Sequence, residues 1–233
     1  FDGNASDMSG NGNDGTVYGA TLIEDRNGES NMAYNFDGIN DCVDVGTLGD
    51  FASKVGVSTI SFWIKTGDSA EEFKSVMGLI DDTTGNSVFK IELNRKINGS
   101  GILETSSKDT LFYVRDDKGK VFGAYTSQDI YDNSWHHITW VNENITNRSS
   151  TLYINGQQVS WTGTGQDGLG GNPSSFPQQW GRSFVIGASN NRGNVEYFTN
   201  STLDDIRIYN RAFSEAEVQA LYELEKPGET SGL

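Results

Sequence analysis

The residues from Asp7 to Gly15, DMSGNGNDG, pack two carboxylates, two amides and three glycines into nine positions. Calcium takes six to eight oxygen ligands from carboxylates, amide carbonyls and backbone C=O groups. Glycines let the backbone turn its carbonyls inward. No Glu follows at the twelfth position, so the spacing is not that of an EF-hand and a distant residue must complete the shell. Asp204 is the supplier the pattern offers. In LDDIRIY it alternates in phase with Ile206 and Ile208, which places a carboxylate on a core-facing side. A bare charge there costs several kcal/mol, so something cationic must meet it. One reading is a calcium ion shared by this loop and Asp204. The other is a salt bridge to an arginine such as Arg207 or Arg211, or a turn bonded by N–H groups. The second acidic stretch, Asp37 to Asp41, reads as a plain β-turn.

Enzyme chemistry finds little purchase. There is no HExxH, GxSxG or P-loop pattern. His136 and His137 are neighbours on one strand-like run, so they point to opposite faces and cannot act as a pair. A core-facing imidazole bonded to backbone is the expectation for one of them. Cys42, in DCVDV, reads as a buried inert thiol. Acidic residues are too numerous for carboxylate proximity alone to signal a glycosidase, and no strand shows the row of Lys and Arg that would neutralise a uronate. Exposed aromatics are the remaining chemical signal, because sugar rings stack on them. Trp161, Phe176, Trp180 and Tyr197 lie in or beside Gly/Asn-rich stretches, with Arg182 nearby. They form a candidate sugar platform or, equally, a lid over the core edge. Trp63, Trp135 and Trp140 sit inside strand-like runs and read as core. Five N-x-S/T sequons, at Asn4, Asn98, Asn144, Asn147 and Asn200, are a weak sign of surface loops.

The elements that must position these residues are strands. Ile60, Phe62 and Ile64 alternate against Ser61, Trp63 and Lys65; similar period-2 runs occur at Met32–Phe36, Phe89–Leu93 and Trp135–Val141. Short alternating runs between turn clusters are the signature of an antiparallel sandwich. Asn155-Gly156, between LYI and QQV, predicts a type I′ hairpin, and Asp117-Lys118-Gly119 a weaker turn. One helix is predicted near the end: Ser214 and Glu217 form a capping box, Phe213 and Val218 a hydrophobic staple, and Pro227-Gly228 stops it. Residues 1–225 read as one domain and 226–233 as a disordered tail. The long stretch 163–177 reads as an excursion from a sheet edge.

Composition narrows the partners. The 233 residues carry 32 acidic and 17 basic side chains, a formal net charge of −15. That field opposes nucleic-acid backbone and anionic lipid. Hydrophobic residues make up 35%, enough for a sizeable core and too many for an acidic disordered chain. A single cysteine excludes an internal disulfide framework and a cysteine-based zinc cluster. No apolar run approaches the roughly 20 residues of a membrane helix.

FDGNASDMSGNGNDGTVYGA, AYNFDGINDCVDV, STISFWIKT, SWHHITWV, LYINGQQV and LDDIRIYNRAFSEAEVQALY together resemble, in order, the laminin-G-like, concanavalin A-like jelly-roll domains of secreted prokaryotic proteins. The resemblance runs from Phe1 to Tyr222. It implies an all-β fold of two antiparallel sheets with a short C-terminal helix. It also implies one structural calcium joining the Asp7 loop, through Asp7 and Asn11 or Asn13, to Asp204, with Asp205 a weaker choice. The family carries an apolar strand before FDG, so the start at Phe1 reads as trimmed. The same fold includes hydrolases and lyases, but the Glu-x-Asp-x-x-Glu strand motif of one hydrolase branch is missing. The expectation is a non-catalytic carbohydrate-binding or adhesion module of a larger secreted or surface protein, outside the cell. A polysaccharide lyase or glycoside hydrolase is the alternative, and a structural or protein-interaction domain the third.

Overall fold

The structure is a computed structural model that describes residues 1–47, 58–67, 72–80, 88–97, 103–115, 121–144, 149–165, 183–191 and 194–228. In chain order the described strands are β1 (Thr16–Tyr18), β2 (Thr21–Ile23), β3 (Ala33–Asp37), β4 (Cys42–Asp44), β5 (Ser58–Lys65), β6 (Lys74–Ile80), β7 (Val88–Ile97), β8 (Leu103–Arg115), β9 (Val121–Thr126), β10 (Trp135–Asn144), β11 (Ser149–Ile154), β12 (Gln157–Gln158), β13 (Thr162–Gly165), β14 (Val185–Ile186), β15 (Ser189–Asn191), β16 (Asn194–Glu196) and β17 (Asn200–Tyr209). One helix, α1 (Glu215–Glu225), follows. They form the expected sandwich of two mainly antiparallel sheets. The first runs β1-β4-β14-β6-β7-β8-β9-β13, with β15 and β16 beside β6; the second runs β12-β11-β10-β5-β17-β3-β2.

The core fills the space between the sheets. Ile60, Phe62 and Ile64 of β5 meet Phe89, Ile91 and Leu93 of β7 in one buried cluster that also holds Phe36, Phe112, Phe122, Trp140 and Phe184. Trp140 packs at 5.3 Å from Phe112 and 5.9 Å from Phe89, ring centre to ring centre. Gly187, at φ +84°, lies where a Cβ would run into the Phe36 ring. The sharp turn after β14 therefore admits only glycine without moving the core.

β5, in the middle of the second sheet, is buried on both faces, so its alternation marks direction rather than exposure. The outer face of that sheet carries α1, whose Val218 packs with Val141 and Tyr153. The predicted cap is present: Ser214 Oγ accepts from the Glu217 amide, and the Glu217 carboxylate accepts from the Ser214 amide at 2.8 Å. The predicted hairpin is present as well, with Asn155 at φ +52° and Gly156 at φ +71°. Gly156 also lets the hairpin close on the helix, since a Cβ there would stand 3.0 Å from the Tyr222 ring. The stretch 37–41 is a turn, with the Ile39 amide donating to Asp37 Oδ1 at 2.8 Å. The turn at 117–119, most of the excursion at 163–177 and the tail beyond 228 lie outside the described residues. No described helix is long and apolar enough to cross a membrane.

Register shifts break the alternation at several places among the described strands, and two of them relocate charged residues. In β17 the register with β5 shifts between Asp204 and Arg207, with Asp205 at φ +45°. Leu203 before the bulge and Ile208 after it both face the core, whereas Asp204 lies opposite Trp63, on the face that α1 covers. The expected phase of Asp204 with Ile206 and Ile208 is thereby corrected: an extra residue intervenes. In β7 the register with β8 shifts between Leu93 and Arg95, with Asn94 at φ +56°.

Candidate functional site

Of the four residues expected around calcium, Asp7, Asn11 and Asn13 share one loop bonded within itself, and Asp204 bonds to partners outside it. Asp7 and Asn13 do meet: Asp7 Oδ2 accepts from the Asn13 amide at 2.9 Å and from Asn13 Nδ2 at 3.1 Å, and Oδ1 accepts from the Ser9 amide at 2.9 Å. These bonds hold the Asp7 carboxyl low, at about 2, with Ser9 the largest influence. Asn11 donates to Ser9 Oγ at 2.7 Å. The loop is thus closed on its own N–H groups.

Asp204 meets different partners. Its Oδ2 accepts from Arg26 Nη1 at 2.7 Å, and its Oδ1 lies 2.6 Å from the Phe1 nitrogen and accepts from the Asp205 amide at 2.8 Å. The cation that the sequence demands at this buried carboxylate is the guanidinium of Arg26, neither Arg207 nor Arg211. Both oxygens of Asp204 thus accept from donors in this structure. Burial is the largest influence on its carboxyl and pushes it above the usual range, against the pull of the Phe1 amino group.

Arg26 anchors a wider buried network. Its Nη2 donates to Asp205 at 2.7 Å and its Nε to the Glu225 carbonyl at 2.6 Å, while the guanidinium lies 4.7 Å over the Trp63 ring. Glu225 accepts from Trp63 Nε1 at 2.9 Å and pairs with Arg207. Burial works against the Asp205 carboxylate, yet Arg207 and Arg26 hold its pKa below the ordinary value. The last turn of α1 is therefore pinned to β5, β17 and the residues after β2.

His137 sits in the same layer, fully buried between Trp63, at 5.1 Å, and Tyr222, at 6.0 Å. Neither ring nitrogen makes a hydrogen bond among the described residues, so the expected backbone-bonded imidazole is not found. Burial first, then Arg207 and Arg26, push its pKa down to about 3. His136 is occupied on both sides: Nε2 is 3.0 Å from Asp132 Oδ1 and Nδ1 is 3.2 Å from Asn155 Nδ2. This imidazole ties two loops together and has no ring nitrogen left for a substrate.

Of the aromatics proposed for sugar contact, Trp161 and Tyr197 are described; Phe176, Trp180 and Arg182 lie outside the described residues. Trp161 is half-buried, edge-on to Phe122 at 6.1 Å. Together with Gln158, Val159 and Ser160 it lines an open surface depression of about 380 Å³. Its position just before the edge strand β13 gives it the amphipathic setting of a sugar platform: an apolar plate beside exposed polar groups. Tyr197 lies elsewhere, at φ +61°, its ring 4.5 Å from Phe73. Trp63 and Trp140 are buried as expected; Trp135 is only half-buried and lines a second depression with Lys65 and Glu24.

One polar cluster escapes period-2 reading. The bulge at Asn94 turns Arg95 onto the face that already carries Lys90 and Glu92. Lys90 and Arg95 both face Glu92 there. The signal was available as Asn in a strand interior, a residue type that tolerates positive φ.

The family model described as concanavalin A-like lectin/glucanases superfamily matches residues 37–219. The chain belongs to this superfamily. A comparison with curated proteins finds no match. Among solved structures, this lectin-like sandwich is similar to the receptor binding domain of botulinum neurotoxin C/D mosaic serotype, with 15% identity and a TM-score of 0.65 over 94% of this chain and 48% of that one. The binding domain of Paraclostridial Mosquitocidal Protein 1 shows 21% identity and a TM-score of 0.61 over 93% and 48%. The botulinum neurotoxin serotype D ligand binding domain, solved in complex with N-acetylneuraminic acid, shows 16% and 0.59 over 94% and 48%. This chain spans about half the length of these neighbours. At such identities the likeness establishes the shared sandwich fold.

Proposed function

We propose that this superfamily member is a carbohydrate-binding module, acting outside the cell as part of a larger secreted or surface protein. The observation that carries the reading is Trp161 in its depression with Gln158 and Ser160, on a lectin-type sandwich. Membership of a superfamily of lectins and glucanases supports a saccharide as the ligand class. Neighbours whose names describe receptor or ligand binding point the same way. That the chain covers half of those neighbours supports a place beside further domains.

A glycan array tests the reading directly. The protein is expected to give hits above background, and Trp161→Leu is expected to lose them while keeping its melting temperature within a few degrees. Leu preserves apolar contact with the core edge but removes the flat ring. An array without hits would contradict the proposal.

A further inference from the structure

We propose a second saccharide site, for a neutral sugar, at the end of the second sheet that α1 leaves uncovered. Trp135 is its stacking plate, and Lys65 and Glu24 bond the sugar hydroxyls. The proposal rests on the saccharide reading above but uses none of the residues 158–161.

Strand register places the site. On the outer face of the sheet the chain enters α1 where the Phe213 amide donates to Thr59 Oγ1 at 2.9 Å, and the helix ends where Glu225 accepts from Trp63 Nε1. Two residues further along β5, Lys65 stands on the same face as Trp63, past the end of the helix. Trp135 of β10 is opposite Lys65 in the ladder, as His137 is opposite Trp63. Trp135 and Lys65 are therefore neighbours on a stretch of outer face that α1 does not reach. Ile23 of the edge strand β2, with Glu24 and Asp25 after it, bounds the same stretch. Together these five residues line one open depression of about 310 Å³. That lies at the lower end of the roughly 300–1,000 Å³ of small-molecule sites.

The core does not hold Trp135 there. Trp161 packs against the central cluster, whereas Trp135 joins no hydrophobic cluster and no ring pair among the described residues. Ile23, 37% exposed, extends the apolar surface beside it. A half-exposed indole with no packing partner offers a flat apolar face to the C–H groups of a sugar ring and one N–H to a hydroxyl.

The polar groups around it are free as well. The side chains of Lys65, Glu24 and Trp135 make no hydrogen bond or ion pair among the described residues. Asp25 differs: its Oδ1 accepts from the Asn27 and Glu29 amides at 2.8 and 2.9 Å and its Oδ2 from Asn27 Nδ2 at 3.1 Å, so it shapes its own turn. A ligand thus meets an ammonium that only donates and a carboxylate that only accepts. A hydroxyl does both, so neighbouring hydroxyls accept from Lys65 and donate to Glu24. Glu24 and Asp25 set two negative charges beside one Lys65, on a chain of net charge −15. An acidic sugar is repelled there, and a neutral one is not.

The test follows the Trp135 indole N–H and the backbone amides of the labelled protein during titration with cellohexaose, xylohexaose, maltohexaose and, as the charged comparison, hexagalacturonate. At least one neutral hexasaccharide is expected to shift the Trp135 indole and the Glu24 and Lys65 amides. Trp135→Ala is expected to weaken that binding at least tenfold, and Lys65→Met or Glu24→Gln several-fold, at melting temperatures within a few degrees of the parent. Shifts confined to residues 158–161, or an affinity indifferent to Trp135→Ala, would overturn this site and leave the saccharide reading standing. A preference for hexagalacturonate would contradict the neutral class. No shift with any of the four sugars rejects the site, and a blank glycan array besides rejects both readings. If Trp135→Ala fails to fold, Lys65→Met and Glu24→Gln decide: weaker binding supports the site and unchanged binding rejects it.

Discussion

Asp204 shows how much a single buried charge constrains. Its carboxylate is 2% exposed and needs a cation; the chain supplies Arg26 from 178 positions away. Breaking one side of a buried ion pair strands the other, at a cost of roughly 3–5 kcal/mol. Arg26→Met is therefore expected to destabilise the fold by that order, read as a shift in the denaturant midpoint. Asp204→Asn should lose about as much, and by the same amount with added calcium as with EDTA. A loss seen only with calcium present would place a metal at Asp204. The need for a cation was legible from the sequence, because Asp is so rarely buried unpaired. Its identity was not, since nothing local to Asp204 points to a residue in the NG-containing turn after β2.

At the scale of elements, the runs, the hairpin and the capped helix follow from period, turn chemistry and caps. What escaped was the phase of bulged strands, β17 and β7 among them. A bulge adds one residue, and one residue sends every later side chain to the other face. Asp205 and Asn94, the residues at positive φ, are of the two types that best tolerate it, but many such residues in this chain lie in ordinary turns. Sequence patterning therefore could not tell which would bulge. The β17 bulge places Asp204 and Arg207 under α1, where they share a layer with His137. The His137 pKa of about 3 lies below its unfolded value of roughly 6.5. Between these values the unfolded chain binds a proton that the folded chain refuses, so stability falls as pH drops through that window. From pH 7 to 5 this imidazole is expected to account for about 2 kcal/mol of lost stability. His137→Phe, which keeps a ring between Trp63 and Tyr222, should remove that share from the unfolding profile. A turn carries comparable weight: Gly187→Ala combines positive φ with intrusion on Phe36 and should cost about 2–4 kcal/mol in denaturant unfolding.

At the scale of the molecule, two sheets bury one core and leave two unlike outer faces. The outer face of the second sheet is closed by α1 through Glu225, Arg207 and Arg26, except at its Trp135 end, and the polar groups under the helix serve the fold. The first sheet carries the ion-paired Lys90, Glu92 and Arg95 and, among the described residues, ends at the edge strand β13, beside the Trp161 depression. A charge of −15 disfavours polyanions at long range, so sugar recognition on this side is expected to depend on stacking and hydroxyl bonding and to vary little with ionic strength. Binding measured at 50 and 500 mM salt should agree within a few-fold. Part of the sugar platform read from sequence lies outside the described residues, which leaves Trp161 as its described member at this edge. The most direct test of the account is isothermal titration of the protein and of Trp161→Leu with the strongest glycan from an array. The account predicts saturable binding that the substitution weakens at least tenfold without unfolding the domain; equal affinity in the two proteins would contradict it.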